Sequence, residues 1–577
     1  MKRWLVDRAG AMTLAIAVLY IALAPTWIVD GDNAEFATLA AVGGRAHPTG
    51  YPLYVLWLRA TSWLPGSSPA HTAAIATAIL AAAQVFVLHA ACRAWGARTL
   101  AASVATGIFA LAPVVLRMHT EAEVFALNGL VLATILLLSA TAGPLRGVAR
   151  GAVLGLVAGL GIANHVTCVV IAPVGLLGVV RGVRESRRSI VAIVAALGGL
   201  VVGLAPYLYM FVAPDAASWG RVDDVRDLLS FVLRYDYGGP GSFATHSRGV
   251  DIGANLGALA ATIGRSWCWV LAIVGVTTLG WRAARRQPAG ESRVAWGALA
   301  ASWLVAGPLL VARFNIPPRG LGLYVVERFH IFPTLLLVIP VAVGLDAMAR
   351  RTKIVARPAM VWSGVIAVMA TLALLAMPRL LAEHSRAMDA GVRNTLDTFP
   401  DHAIVLVASE DQCLGMRYLQ LAEDDRPDVE VVCWLLMSRD WYRLPIIARG
   451  VPFGASTGGP ASISDGEAIL ATGRPLFVDE IQHPILETFR AFPQGVFFRV
   501  LPRGTRVPSI HDVVADNRAL YQRFDLGARP DRGDDYAAVA FLRYAFIWRT
   551  LAAAADSAGE HDDAAFSHEM EDELTPR

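Results

Sequence analysis

Charge is scarce in this chain. Asp, Glu, Lys and Arg make up 17% of its 577 residues, against about 25% in soluble globular chains. The deficit is concentrated between residues 10 and 378, where Ala, Leu, Val, Ile and Gly run on with few interruptions. Many of these runs approach the ~20 residues a helix needs to cross ~30 Å of hydrocarbon. A large soluble protein is thereby excluded, because buried core helices do not come as a long series of nearly charge-free 20-mers. Cysteine is scarce too: Cys92, Cys168, Cys268, Cys413 and Cys433 make no CxxC pair, which removes that metal or redox signature. The first three stand in or near apolar runs. Cys413 and Cys433 lie further on, where they either form a disulfide in an oxidising compartment or remain two thiols. The net charge of +3 is small and calls for no nucleic-acid partner. No convincing cleavage site follows the first apolar run, so Ala11–Ala24 is expected to be a retained membrane helix and not a signal peptide.

Eleven spans are expected, near 10–28, 71–91, 99–116, 123–142, 151–165, 166–180, 189–212, 262–281, 294–312, 330–349 and 358–377. The 151–180 stretch is long for one span and short for two, and it is divided at the polar pair Asn164-His165. Basic residues support the division. With two spans there, nineteen Lys and Arg fall on one side: Lys2, Arg3 and Arg8, then clusters at 93–98, 146–150, 181–188, 282–293 and 350–357. Short cytoplasmic loops carry this excess, so the N-terminus is expected inside. The other side then holds the long loops 29–70 and 213–261 and everything beyond Pro378. Most of the polar residues gather on that side, which favours chemistry at a membrane surface over passage through it.

The expected domains are a transmembrane part (1–378), a soluble α/β part outside the membrane (379–552) and a disordered acidic tail (553–577). AIVLVAS (403–409), VEVVCWLL (429–436) and GVFFRVL (495–501) have the pattern of buried strands, with a helix around Arg417–Gln420 between the first two.

The first outer loop carries the densest chemistry. Asp30, Asp32 and Glu35 directly follow the first apolar run. If Asn33–Val42 is helical, Asp32 and Glu35 share a face at i,i+3, and Asp32 also suits a helix cap with Glu35 behind it. Carboxylates at a membrane boundary are costly unless hydrated, paired or used. One here suits proton abstraction from an acceptor hydroxyl or a divalent metal, Mg²⁺ or Mn²⁺, beside a phosphate. The turn His47-Pro48-Thr49-Gly50-Tyr51-Pro52 would present His47 and Tyr51 rigidly, although Tyr51, Tyr54 and Trp57 also suit an interfacial aromatic belt. Glu123, Asn128, Asn164 and His165 are further polar candidates. Arg234, Arg313 and Arg328 are candidate phosphate clamps, since guanidinium stays charged and bonds in two-pronged fashion. Taken singly, each suits a structural ion pair equally well.

Five ordered stretches carry a resemblance. Asp32-Asn33-Ala34-Glu35-Phe36 with His47-Pro48-Thr49-Gly50-Tyr51-Pro52-Leu53 is the first. Ala122-Glu123-Val124-Phe125-Ala126-Leu127-Asn128 and Gly161-Ile162-Ala163-Asn164-His165-Val166-Thr167 come next. Leu204-Ala205-Pro206-Tyr207-Leu208-Tyr209 and Glu327-Arg328-Phe329 follow, with a fainter match at Arg426-Pro427-Asp428-Val429. Together they resemble the bacterial DUF2723 family, which is similar to transmembrane protein O-mannosyltransferases within the C-type glycosyltransferase superfamily. Ala34, Thr49 and Phe125 depart from that family's Gly, Pro and Tyr.

The resemblance implies a C-type glycosyltransferase-like fold of about eleven membrane helices with a C-terminal α/β domain. It implies a multi-pass enzyme of the bacterial inner membrane, its C-terminal domain periplasmic or extracellular. The implied reaction moves a monosaccharide from a polyprenyl-phosphate donor to an extracytoplasmic protein, lipid or envelope glycan, with inversion. Asp32 would be the base, Glu35 its partner and Asp30 the next candidate, with His47 near the donor phosphate. A transporter or flippase of lipid-linked intermediates, or a non-enzymatic envelope scaffold, is the alternative.

Overall fold

The computed structural model describes residues 8–235, 239, 249–285, 290–351, 358–454, 461–479, 483–531 and 535–577. In chain order its first helices are α1 (Arg8–Leu23), α2 (Gly31–Val42), α3 (Pro52–Ala60), α4 (Pro69–Ala94), α5 (Thr99–Ala110) and α6 (Pro113–Thr120). Then come α7 (Phe125–Ser139), α8 (Gly147–Asn164), α9 (Ala172–Glu185), α10 (Ser189–Gly203), α11 (Val225–Val232) and α12 (Ile252–Ser266). The series continues with α13 (Val270–Ala284), α14 (Arg293–Leu304), α15 (Leu321–Glu327), α16 (Ile331–Leu336), α17 (Val338–Arg351) and α18 (Pro358–Glu383).

Helix occupies each of the eleven apolar runs, but fewer qualify as spans. Among the described residues six helices are long and apolar enough to cross a membrane, or nine if three bent pairs each count once. Against the about eleven expected, six to nine is the number that length and composition alone support among the described residues. Two runs yield only short apolar helices, Gly10–Leu23 and Phe125–Ser139, and three are broken, with bends of 71°, 108° and 40°. Pro113 opens α6 after the first of these breaks. The doubtful 151–180 stretch does divide: α8 ends at Asn164 and a separate apolar helical segment runs over Val166–Glu185. The chain is thus a polytopic α-helical membrane protein with a sheet-containing C-terminal part.

Residues cluster into two compact units. The first holds Met1–Pro25, Gly43–Ser67 and His71–Ala382; the second holds Thr26–Val42, Ser68–Ala70 and Glu383–Arg577. By its packing α2 therefore belongs with the C-terminal part.

In the first unit α8 and α10 approach through small residues. A Cβ on Gly155 would stand 1.9 Å from the Ala196 carbonyl oxygen, and one on Gly199 would stand 2.1 Å from that of Ala152. The four-residue spacing of Gly151, Gly155 and Gly159 is the kind that lets membrane helices touch backbone to backbone. Basic residues predicted to share one membrane face hold acids: Arg181 pairs with Glu291 at 2.7 Å, Arg150 with Glu185 at 3.0 Å, and Arg98 and Arg350 with Asp346.

The second unit adds α19 (Ala387–Thr398), β1 (Ile404–Val407), α20 (Glu410–Ala422), β2 (Glu430–Cys433), α21 (Asp440–Ala448), α22 (Ile463–Ala471) and β3 (Leu476–Val478). It closes with α23 (His483–Thr488), β4 (Ala491–Gln494), β5 (Phe497–Val500), α24 (Ile510–Tyr521), α25 (Tyr536–Ala558) and α26 (His561–Leu574). The sheet order is β2-β1-β3-β5-β4. Val405 pairs in parallel with Val431 on one side and Phe477 on the other, and β5 returns antiparallel between β3 and β4. Parallel strands need a crossover, which α20 supplies between β1 and β2. β1 is wholly buried, in keeping with its unbroken apolar run. Phe399 edges onto Phe477 and Phe497 at 4.9 and 5.4 Å.

Three features of this unit settle open expectations. Cys413 and Cys433 form a disulfide between α20 and β2, Cα to Cα 5.5 Å. The Arg-Pro-Asp-Val stretch is a clamp: Arg426 bonds both oxygens of Asp428 at 2.8 and 2.9 Å and the Phe399 carbonyl at 2.9 Å. Residues 553–577, expected to be disordered, form the end of α25 and the whole of α26. Gly559, at φ +77°, turns the chain between them; Phe566 packs on Trp548 at 5.5 Å, Leu574 is buried, and Arg549 pairs with Glu571 at 2.6 Å. A few well-spaced apolar residues outweigh the acidic composition. α25 is long and apolar enough to span a membrane, yet Arg543 and Arg549 are both bonded to acids of its own unit, and it serves as a packed helix there.

Candidate functional site

The first-loop turn is anchored from below by Arg45, a residue the sequence did not single out. Arg45 is buried, and its guanidinium donates to the carbonyls of Met210, Ala213 and Gly220 at 3.1 Å each and pairs with Asp215. Its backbone N–H donates to Ser218 Oγ at 2.8 Å, and its carbonyl accepts from Trp219 N–H at 2.8 Å. Six charge-assisted or buried bonds thus fix Arg45 to the 210–220 segment. At Gly50, φ is +91°, a left-handed backbone that favours glycine, and a Cβ there would also have to displace the end of the Met210 side chain, 2.7 Å away.

From this base the polar candidates converge. Tyr51 OH and His47 Nε2 are 3.0 Å apart. The Tyr51 ring stacks on His165 at 5.4 Å, and His47 meets Trp219 edge-on at 6.0 Å. His165 Nδ1 accepts from the Thr167 N–H at 3.1 Å and lies 2.7 Å from its hydroxyl. Asn128 donates to that hydroxyl at 2.9 Å, and Asn164 donates to the Val124 carbonyl at 3.2 Å. Phe125 and Phe329 both flank His165, at 5.8 and 6.3 Å. Beside Phe329, Arg328 pairs with buried Glu123 at 3.0 Å. Glu123 also accepts from the Val124 N–H at 3.1 Å. Residues from 47 to 329 in the chain thus form one aromatic-walled polar surface within the first unit.

Glu327 is a second centre of charge. It binds Arg265 at 2.7 Å and Arg379 at 2.8 Å and accepts from the Thr262 hydroxyl at 3.1 Å. Nearby, Arg117 lies over the Tyr324 ring at 4.0 Å and donates to the Tyr324 carbonyl at 3.0 Å. Arg265 and Arg379 were missed in the sequence; a lone cation inside or beside an apolar run was the available signal. Arg313 is exposed. Arg234 stands in a left-handed turn, φ +59°, after α11.

The first-loop acids sit on α2, in the second unit. Helix starts at Gly31, two residues earlier than expected, so the cap is Asp30 and not Asp32. Asp30 Oδ1 accepts from the Asn33 N–H at 2.6 Å, while Asn33 Oδ1 accepts from the Val29 N–H at 3.2 Å. Asp30 and Glu35 are buried, and Asp32 is partly exposed. With capping assigned to Asp30 and Glu35 buried, Asp32 is the acid of this helix with access to solvent. Asp32, Glu35 and His47 occur within sixteen consecutive residues and together carry the donor atoms a divalent cation takes.

Residues 32–188 match the model of the family described as protein O-mannosyl-transferase TMEM260 N-terminal domain. The mouse protein O-mannosyl-transferase TMEM260 is 25% identical over 470 residues, which cover 77% of this chain and 64% of that protein. The chain therefore spans just under two thirds of the length of that relative. Two solved structures are also similar. ArnT from Cupriavidus metallidurans, bound to undecaprenyl phosphate, has a TM-score of 0.48 at 12% identity, covering 87% of this chain and all of that one. The archaeal oligosaccharyltransferase AglB from Archaeoglobus fulgidus, with an inhibitory peptide and a dolichol-phosphate, has a TM-score of 0.44 at 12% identity, covering 88% and 76%.

Proposed function

We propose that this chain is a membrane glycosyltransferase that moves a monosaccharide from a polyprenyl-phosphate donor to an acceptor hydroxyl outside the cytoplasm. The observation that carries the proposal is the convergence of His47, Tyr51, Glu123, Asn128, His165 and Arg328, residues scattered over 282 positions of sequence, on one surface. The family match beginning at Asp32 supports it.

Asp32 takes the acceptor's proton as its oxygen attacks the anomeric carbon. One displacement joins acceptor to sugar, so the configuration inverts without a covalent enzyme intermediate. Arg328 and His47 bind the departing lipid phosphate, whose charge grows in the transition state, and Arg313 and Arg234 are further anion contacts. Tyr51, Phe125 and His165 offer ring faces and polar edges suited to a sugar. Glu35 positions Asp32 or holds a divalent cation that would polarise the phosphate.

The N-terminus lies in the cytoplasm and the C-terminal unit outside the bacterial inner membrane, an orientation that the basic bias and the Cys413–Cys433 disulfide both favour. The test is turnover by purified protein with a panel of polyprenyl-phosphate sugars, with the mass of the acceptor as readout. Asp32→Asn lowers turnover by roughly 10²–10⁴-fold and leaves donor affinity nearly unchanged. A parental rate for that variant at saturating donor across pH would refute Asp32 as base.

A further inference from the structure

We infer that Thr167 and Asn128 are positioning residues: they hold His165 in the tautomer that carries its proton on Nε2, so that His165 donates a hydrogen bond to an oxygen of the sugar on the lipid donor. The inference rests on the glycosyltransferase reading and deepens it, but makes no use of Asp32.

The geometry lies wholly within the first unit. His165 ends α8 and caps the short helix that follows it. The Thr167 backbone N–H donates to His165 Nδ1 at 3.1 Å. A donor cannot face a donor, so Nδ1 carries no proton and the ring proton sits on Nε2. The Thr167 hydroxyl lies 2.7 Å from the same Nδ1 and must donate to it as well. Its lone pairs then face away, and one accepts from Asn128 Nδ2 at 2.9 Å. The direction of every bond is thereby fixed, from amide to hydroxyl to imidazole. Asn128 is held at its other end in the first turn of α7. Its backbone N–H donates to the Val124 carbonyl at 3.1 Å, which Asn164 Nδ2 also reaches, at 3.2 Å.

Rings hold the imidazole plane. Tyr51 stacks on it at 5.4 Å and 25°, and Phe125 lies tilted against it at 5.8 Å. Between such carbon walls the ring offers a neutral N–H donor of set direction. That suits a hydroxyl or ring oxygen of a sugar better than a phosphate, which a guanidinium binds about twice as strongly as a neutral donor does. Apolar walls with a few fixed polar groups are how pockets orient small polar ligands.

The experiment is equilibrium binding of two probes to the full-length protein in detergent, with NMR of nitrogen-labelled histidines. One probe is the polyprenyl-phosphate sugar that the parent turns over; the other is the same polyprenyl phosphate without sugar. Among the 13 histidines the His165 signals are those lost in His165→Gln. The parent should show His165 with its proton on Nε2. Thr167→Val removes the hydroxyl and should mix the two tautomers. It should weaken the sugar-bearing probe by about 2–12-fold, the worth of one neutral hydrogen bond, and leave the bare lipid phosphate unchanged. Asn128→Leu should act in the same direction, and Thr167→Ser, which keeps the hydroxyl, should restore both spectrum and affinity. A merely structural pair would instead weaken both probes alike as the thermal midpoint falls. If Thr167→Val and Asn128→Leu do that, or if His165 of the parent carries its proton on Nδ1, the inference is wrong. Should Thr167→Val fail to fold, Asn128→Leu and the parent spectrum decide. A parent that turns over no lipid-linked sugar sinks the glycosyltransferase reading, whereas parental turnover with equal losses for the two probes sinks only this inference.

Discussion

Arg328 and Glu123 form an ion pair inside the converged polar surface, and the two roles open to Arg328 predict different energetics. Glu123 is 2% exposed and Arg328 17%, at 3.0 Å. At an effective dielectric of 20 and ~4 Å between charges their attraction is about 4 kcal/mol. Cutting Arg328 to Ala takes the cation away from a buried carboxylate, which costs about 3–5 kcal/mol, toward the lower end here because Glu123 keeps the Val124 N–H and the guanidinium side reaches solvent. If Arg328 also binds the donor phosphate, it loses a charge-assisted bond of about 1.5–3 kcal/mol, or roughly 10–150-fold in donor Kd. The double variant Glu123→Gln with Arg328→Gln removes both charges together. Its expected result is recovery of most of the lost stability without recovery of donor affinity. Thermal unfolding in detergent micelles measures the first quantity and equilibrium binding of a radiolabelled polyprenyl-phosphate sugar the second. If the double variant regains both, Arg328 merely balances Glu123 and is no phosphate clamp.

Three other outcomes are expected. Reducing the Cys413–Cys433 bond, which closes a loop of sequence separation 20, should destabilise the C-terminal unit by about 3 kcal/mol; a non-reducing gel shift and a fall in Tm on adding reductant check this, and two readily alkylated thiols in native protein would contradict it. The Arg426 guanidinium holds the Asp428 carboxyl well below the usual carboxylate range. Its contribution is therefore full above the ordinary aspartate value of about 3.9 and fades as pH falls through the depressed folded value. Arg426→Met should flatten the acid side of a plot of Tm against pH below about pH 4, and an unchanged slope would count against the clamp. Phe566→Ala removes the ring that packs on Trp548 and should cost about 3–5 kcal/mol or somewhat less for its partly open site, seen as loss of amide protection along α26.

Much of this molecule was legible because its signals are local. The apolar runs announce helices, the polar pair Asn164-His165 marks where α8 stops, and short β-branched runs announce β1 and β2. The bends inside three of the runs were not legible, because such breaks depend on packing, as at Pro113. Of the candidate residues, those with motif context could be named, and the structure brings six of them together. Arg45 was not, since nothing near it signals six bonds to a segment some 165–175 residues away. The cap was misassigned by two residues because Asp30 and Asp32 are chemically equivalent candidates, and only backbone geometry separates them. Acidic composition misled at α26, where three or four buried side chains decide the outcome.

The packing of α2 within the second unit also sets an order of events during synthesis. Asp32 is made early, and Arg543, bonded to Asp411 in the same unit, is reached only after some 500 further residues have been polymerised. At about 5–20 residues per second the wait is roughly 25–100 s. During that interval membrane helices on both sides of α2 are already being inserted, while the unit to which α2 belongs is still incomplete. The nascent protein is therefore expected to carry its proposed catalytic segment in an unfinished state, so that competence for the proposed transfer arrives in one late step and not by degrees.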